Sequence, residues 1–488
     1  MRYSSRVRKL TVTPTIDEHL KGSNVFDEIA QTRTTLHLFP KLSSLTWTSE
    51  SGDRLRLSLM FMHENVKEFA VLLTPSPGYS FSVYFQEIAT RMPRLTRLDL
   101  RFSFPVREIE PGLCQLFSTL PKLQTVIMPQ FTLTTKIIES LSRKEHLGVA
   151  QFEFMDHQGV GDAMDVNDWA PVLEEGAFPA LYDLSISVHL QHMLRFMTAP
   201  FFPVNLRMLY VHVMHIVPPP QVHDFLSAVA ENCQSLIELV LHYSGEPHGL
   251  VFRRNPPADD LLTWDTLRPV LKCPNLTLFE LHWETPLAMS HADLEDLAAS
   301  WPALETLILN PQPLPSAEPS PLTLDALLPF ARHCPRLRTL GLYISASAPH
   351  GTLGVTYTPF RSLRKLDFGV SSIADAAPVA LFLSQLCPSD CRVTSGVNWP
   401  DQDELIAPES EDDMDLLNSL LEAVEQHCAR WDEVRQVLPL LIELRMEERA
   451  RREALEREVE DLRTRCKVLE ERLDMGAGAN VDSGCLLL

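Results

Sequence analysis

Three histidines hold one equivalent place in a recurring phrase: His212, His242 and His282 each follow the last apolar anchor of a unit. Tyr210, Tyr243, Trp283 and Tyr343 stand at or beside the same places, with Glu238 and Glu280 close by. Stacked units would carry the imidazoles in a row at the spacing of neighbouring strands, about 4.8 Å. Such a row could ligate zinc, but a straight row closes poorly into a tetrahedron without a ligand from a loop. With tyrosine and tryptophan it makes an amphipathic stripe, and such rings dominate protein-binding hot spots. The plainer alternative is that these side chains cap the core edge of each unit. The expectation is a partner-binding stripe of Tyr210, His212, His242, Tyr243, His282, Trp283 and Tyr343, with no metal and no cofactor.

Other chemistry is thin. The sequence has no phosphate-binding Gly-x-x-x-x-Gly-Lys, no Gly-x-Gly-x-x-Gly and no Gly-x-Ser-x-Gly elbow. Cys387 and Cys391 lie four apart but lack a second Cys/His pair at ligand spacing, so they read as core. Serine, histidine and aspartate are present, yet nothing in their spacing gathers a triad. No catalytic residue is assigned, and the chain reads as a non-enzyme.

The elements that must position the stripe come from the phrase itself. A Pro or Cys is followed by Leu-x-x-Leu-x-Leu, as in Pro93 to Leu100, Pro302 to Leu309 and Cys334 to Leu342. Good copies anchor at Leu42, Leu95, Leu123, Leu181, Leu206, Leu236, Leu276, Leu304, Leu337 and Leu363, with weaker ones at Val7–Val12, Val66–Val71 and Val149–Phe154. In the copy at Leu123, Ile127 falls one place early and Met128 takes the third slot. Most neighbouring copies lie 24 to 33 residues apart, and a longer gap holds an insertion around Gly245–Asp260. Between copies, segments such as Asp224–Asn232, Asp293–Trp301 and Leu324–His333 have helical apolar period. A strand followed by a helix at this repeat length is one unit of a solenoid, strands inside and helices outside.

After about residue 395 the pattern stops. An acidic, proline-bearing linker covers 396–415, and a helix with a 3.5-residue apolar register covers 416–474. That register predicts a coiled coil, with its clearest seam at Leu455, Val459, Leu462, Cys466, Leu469 and Leu473. The first half of the helix is apolar on more than one stripe, which favours packing on the protein itself. The second half favours a partner helix, in the simplest case a second copy. Pro439 predicts a kink or break. Residues 475–488 read as a flexible tail. It ends Cys485-Leu-Leu-Leu488, a prenylation-like pattern, so a membrane-tethered scaffold is the alternative to a free recognition protein.

The formal charge of −21 over 488 residues disfavours nucleic acid and anionic membranes as partners. Nine scattered cysteines read as reduced thiols in an intracellular protein, cytoplasmic or nuclear unless prenylated. No run of about 18 apolar residues predicts a transmembrane helix.

The units with Cys-Pro-x-Leu-x-x-Leu-x-Leu resemble the irregular leucine-rich repeats of F-box proteins. Tyr3-Ser-Ser-Arg-Val-Arg-Lys-Leu10 and Leu36-His-Leu-Phe-Pro-Lys-Leu-Ser-Ser-Leu45 resemble the region after the F-box in fungal F-box/leucine-rich-repeat proteins. The resemblance covers about residues 1–395. It implies an α/β leucine-rich-repeat solenoid, a horseshoe, acting as the substrate receptor of a cullin ubiquitin ligase. An F-box, a helical module with a Leu-Pro start and a Cys-Arg-x-Trp-like end, is not found in the sequence. Docking on the ligase adaptor is therefore not implied.

Overall fold

The start of the phrase is a turn. The first leucine of a unit donates its N–H to the carbonyl three residues back, among others Leu95 to Met92, Leu236 to Cys233, Leu304 to Trp301 and Leu337 to Cys334, at 3.1–3.2 Å. That is a β-turn, and Pro93, Pro302 and Pro335 sit at its second position, where the ring pre-sets φ. The residue that opens the turn is buried and ends the preceding helix. Cys334 suits the place because its thiol is small and points at the carbonyls of Ala298 and Trp301 in the unit before, at 3.5 and 3.6 Å. Burial pushes the Cys233, Cys273 and Cys334 thiols up to about 12, 11 and 12, so they are inert core groups.

The computed structural model describes residues 4–13, 28, 36–49, 52–75, 80–153, 156–243, 250–251, 257–316, 318–346, 357–397, 405–406 and 411–478. Among them, fourteen parallel strands form one sheet in chain order, from Lys9–Val12 at one edge to Arg392–Thr394 at the other. The anchors of the phrase are its buried side. Leu209, Leu239, Phe279, Leu307, Leu340 and Leu366 stand in register on successive strands, all within one core. A unit alone could not cover such a face, and stacking covers it for its neighbours.

Helices Phe81–Arg91, Glu110–Thr119, Thr135–Ser142, Leu190–Thr198, Pro219–Asn232, His291–Ser300 and Ala376–Leu386 lie between strands in the chain. The expected helices at 224–232 and 293–301 are present. His291–Ser300 starts at a capping box, with the Ser290 hydroxyl and the Asp293 carboxylate each bonded to the other's backbone N–H. The expected helix at 324–333 is instead a 3-10 turn, Leu324–Leu327, followed by a short helix, Leu328–His333. Pro329 is the cause: it has no N–H to continue the α ladder back to Asp325.

The C-terminal helix runs unbroken from Glu411 to Gly478 with Pro439 inside it, so the expected break is absent. Its first half docks on the end of the solenoid. Trp431 stacks on Phe368, ring centroids 4.3 Å apart and 15° between planes. Its indole N–H donates to the Ser371 carbonyl at 2.8 Å, and Arg430 donates to the Ile373 carbonyl at 2.8 Å. Leu417, Trp431, Val434, Leu438 and Ile442 are buried, so this half lies against the solenoid and not in a coiled coil. Arg445 donates to the Leu381 carbonyl at 3.3 Å near the end of the docked stretch. Packing on both sides holds a helix that has lost one backbone donor. The insertion and the linker also meet, as Leu250–Val251 pairs in parallel with Leu405–Ile406.

Candidate functional site

Alternation along the strands decides which side chains face the inner wall. Met208–Val213, Glu238–Tyr243 and Leu278–His282 pair so that His212, His242 and His282 align, and Tyr210, Val240 and Glu280 align one step before. Leu209 and Val211 point into the core, so Tyr210 and His212 point to the concave side. The imidazole row is real: His212 and His242 ring centroids lie 6.0 Å apart, and His242 and His282 5.0 Å.

The row is graded. His212 is 0% exposed. It is covered by the segment after Thr125–Met128, where the Gln130 amide reaches its Nδ1 at 3.1 Å and Phe131 meets its ring edge-on at 5.5 Å. Burial holds its pKa down near 4. His242 is held down to about 3, first by burial and then by the charges of His282 and His212. Tyr210 Oη lies 2.6 Å from His242 Nδ1. Burial and Glu280 keep the phenol protonated, so the hydroxyl donates and the neutral imidazole carries its proton on Nε2. His282 is part-exposed, its Nε2 3.5 Å from Glu280 Oε2.

Beside the row lies an acidic wall. Asp183, in the strand Asp183–Val188, is buried and accepts from the Gln151 amide at 3.2 Å. Its carboxyl is pushed up to about 6 by burial, with Glu238 adding repulsion. Burial and the charge of Glu280 raise Glu238 as well. Among the described residues no lysine or arginine pairs with Asp183, Glu238 or Glu280. Towards the ends of the solenoid the concave acids do have cations: Asp99 has Arg101 and Asp367 has Lys365, both at 2.8 Å.

The seven expected stripe residues therefore separate. Tyr210, His242 and His282 share the inner wall. His212 lies in the same row but beneath a loop, which corrects its expected place on an open surface. Tyr243 and Trp283 are also corrected, because one step past the imidazole the alternation turns them towards the core. Their rings lie 5.8 Å apart, and Trp283 is only 3% exposed, with its backbone N–H held by Asn310 Oδ1 at 3.0 Å. Tyr343 lies past its strand end, bordering an apolar cavity with Leu287, Met289, Leu294, Leu309 and Leu322. Asp183 was not among the expected residues, although it holds the same register position as Glu238, with Met208 between them.

Cys387 and Cys391 are buried core residues, and among the described residues no cluster of three His, Cys, Asp or Glu could hold a metal ion. Among the same residues no helix is long and apolar enough to cross a membrane. Cys485 lies outside the described residues, as does the side chain of Leu473. The remaining seam residues, Leu455, Val459, Leu462, Cys466 and Leu469, are exposed on the second half of the C-terminal helix.

No protein-family profile matches the chain, and no curated protein matches it. Among solved structures it is similar to a chain of the Rad7 and Elc1 complex of yeast: 12% identity, 82% of this chain and 92% of that one, TM-score 0.38. It is also similar to the leucine-rich-repeat-containing protein LegL7 from Legionella pneumophila: 13% identity, 86% and 97% coverage, TM-score 0.32. At such values neither likeness bears on function, and the architecture rests on the strands and registers above.

Proposed function

We propose that this protein is a non-enzymatic recognition solenoid whose concave middle takes a basic segment of a protein partner. The observation that carries the reading is the wall of Asp183, Glu238 and Glu280, held partly out of water without a lysine or arginine among the described residues. A buried or half-buried carboxylate lacking a cation is costly, and a lysine or arginine from a partner would relieve that cost. Tyr210, His242 and His282 beside it supply the rings and polar tips that hot spots use. The resemblance of the repeats to those of F-box proteins supports a substrate-receptor role in a ubiquitin ligase.

The test uses the full chain and an array of lysine- and arginine-rich peptides against acidic and neutral controls. Binding should favour the basic peptides, weaken with salt, and fall at least about tenfold in the Glu238→Gln/Glu280→Gln variant. Equal binding of acidic and basic peptides, or unchanged binding by that variant, would overturn the reading. Trp283 is a poor probe for this purpose, since truncating it empties the core.

A further inference from the structure

The C-terminal helix changes character at about Arg445. Before it, Leu417, Trp431, Val434, Leu438 and Ile442 are buried, whereas Val437, Leu440 and Leu444 on the other stripe stay exposed. Beyond it, Leu455, Val459, Leu462 and Leu469 are 54, 46, 51 and 57% exposed, and Cys466 is exposed with them. These five fall at alternating d and a positions of one heptad register: Leu455, Leu462 and Leu469 at d, Val459 and Cys466 at a. Leucine at d with a β-branched residue at a favours two strands.

The flanking charges choose the occupant. In this register the g positions are Arg451, Glu458 and Arg465, and the e positions are Glu456, Arg463 and Glu470. In a parallel, in-register pair each g side chain meets the e side chain five residues on in the other helix. Arg451 then meets Glu456, Glu458 meets Arg463, and Arg465 meets Glu470, three contacts of opposite sign without exception. An antiparallel pair centred on the same heptads puts Glu456 against Glu470 and Arg463 against Arg463. Within the single helix, Arg463 reaches Glu460 at 3.6 Å and Arg465 reaches Asp461 at 2.9 Å, highly exposed contacts that give way at little cost.

We infer that residues 451–470 bind the same segment of a second copy of this chain as a parallel, in-register two-stranded coiled coil. The docked first half preorganises the segment, so association does not have to nucleate a helix. Arg445 and Glu448 occupy a and d positions just before it, Arg452 takes the a position of its first turn, and these charges end the apolar seam on that side. About three heptads give a modest association. The parallel arrangement places both solenoids at the same end of the coil, so two concave walls can engage one partner together.

The experiment uses the full chain in a Cys485→Ser background, so that Cys466 is the exposed seam thiol. Sedimentation at tens of micromolar should give twice the chain mass. Mild oxidation with copper–phenanthroline should link the two chains, because in-register a positions face each other, and Cys466→Ser should abolish the link. Glu458→Arg alone and Arg463→Glu alone should each loosen the dimer by about tenfold or more, since each sets like charges opposite. Mixing the two variants should restore a one-to-one dimer. A monomeric wild type, a dimer indifferent to both reversals, or a mixture that fails to re-pair would each overturn the assignment. Far-ultraviolet dichroism and the melting of the solenoid should be unchanged in every variant, which separates lost pairing from lost folding.

Discussion

The docked half of the C-terminal helix and the concave wall are both withdrawn at least partly from water, on opposite terms. At the solenoid end, Trp431 lies flat on Phe368, and its single donor has a carbonyl at 2.8 Å. Among the described residues no buried polar side-chain atom of the docked helix lacks a partner, and apolar area removed from water stabilises the protein. In the middle of the concave face, Asp183 and Glu238 resist ionisation, and the Gln151 amide comes to Asp183 at 3.2 Å. That surface costs stability. The difference teaches where to look for function: a fold holds groups at a loss where a partner makes use of them.

The comparison breaks most visibly at Trp431. Trp431→Ala should destabilise the protein by about 3–5 kcal/mol, read as a drop in thermal midpoint and a helix half that becomes protease-sensitive. If the loss were below about 1 kcal/mol, the end would not be a stability surface. Asp183→Asn should act in the opposite direction. A folded-state pKa raised to about 6 means that the native state holds a proton the unfolded chain releases above its ordinary value. The stabilising linkage is present at low pH and is lost as pH rises through 6. The variant should therefore be more stable than wild type by about 1–3 kcal/mol at pH 7.5, with the gain fading by pH 4.

His242 sharpens the same contrast through the acid range. Its folded pKa is depressed to about 3, so the unfolded chain takes up a proton first as pH falls. Stability contributed by the neutral ring is present above the unfolded value and shrinks as pH drops towards the folded one. His242→Gln, which keeps an acceptor for Tyr210, should lower the stability lost between pH 7 and pH 5 by about 1–2 kcal/mol in urea titrations. The smallest effect belongs to the undocked half. Leu462→Asp should change the thermal midpoint of the dilute protein by less than about 0.5 kcal/mol equivalent, because its side chain has little to lose.

Much of the solenoid was legible. Leu-x-x-Leu-x-Leu combines turn chemistry with strand alternation, and both are local, so Leu209, Leu239 and Phe279 could be placed without coordinates. The site was legible in part. The imidazole row follows from repeat register, which spacing reveals. The burial of His212 does not, because Gln130 and Phe131 come from a loop about eighty residues earlier in the chain. Tyr243 and Trp283 share the residue type of the stripe but not its parity, and alternation points them inward. The apolar period at 324–333 is helical, but Pro329 divides the segment into a 3-10 turn and a short helix.

The sequence by itself determined the repeat, the buried face of each strand, the register that aligns three histidines and the heptad with its alternating charges. These depend on periods of two, three and a half, and about twenty-eight residues, which a single chain displays openly. Tertiary structure decided which equivalent positions differ. It placed one histidine under a loop, brought Asp183 beside Glu238 across an intervening strand, and divided one continuous helix into a half covered by the solenoid and a half left bare. Burial and electrostatic cost arise from neighbours distant in the chain, and no local period encodes them.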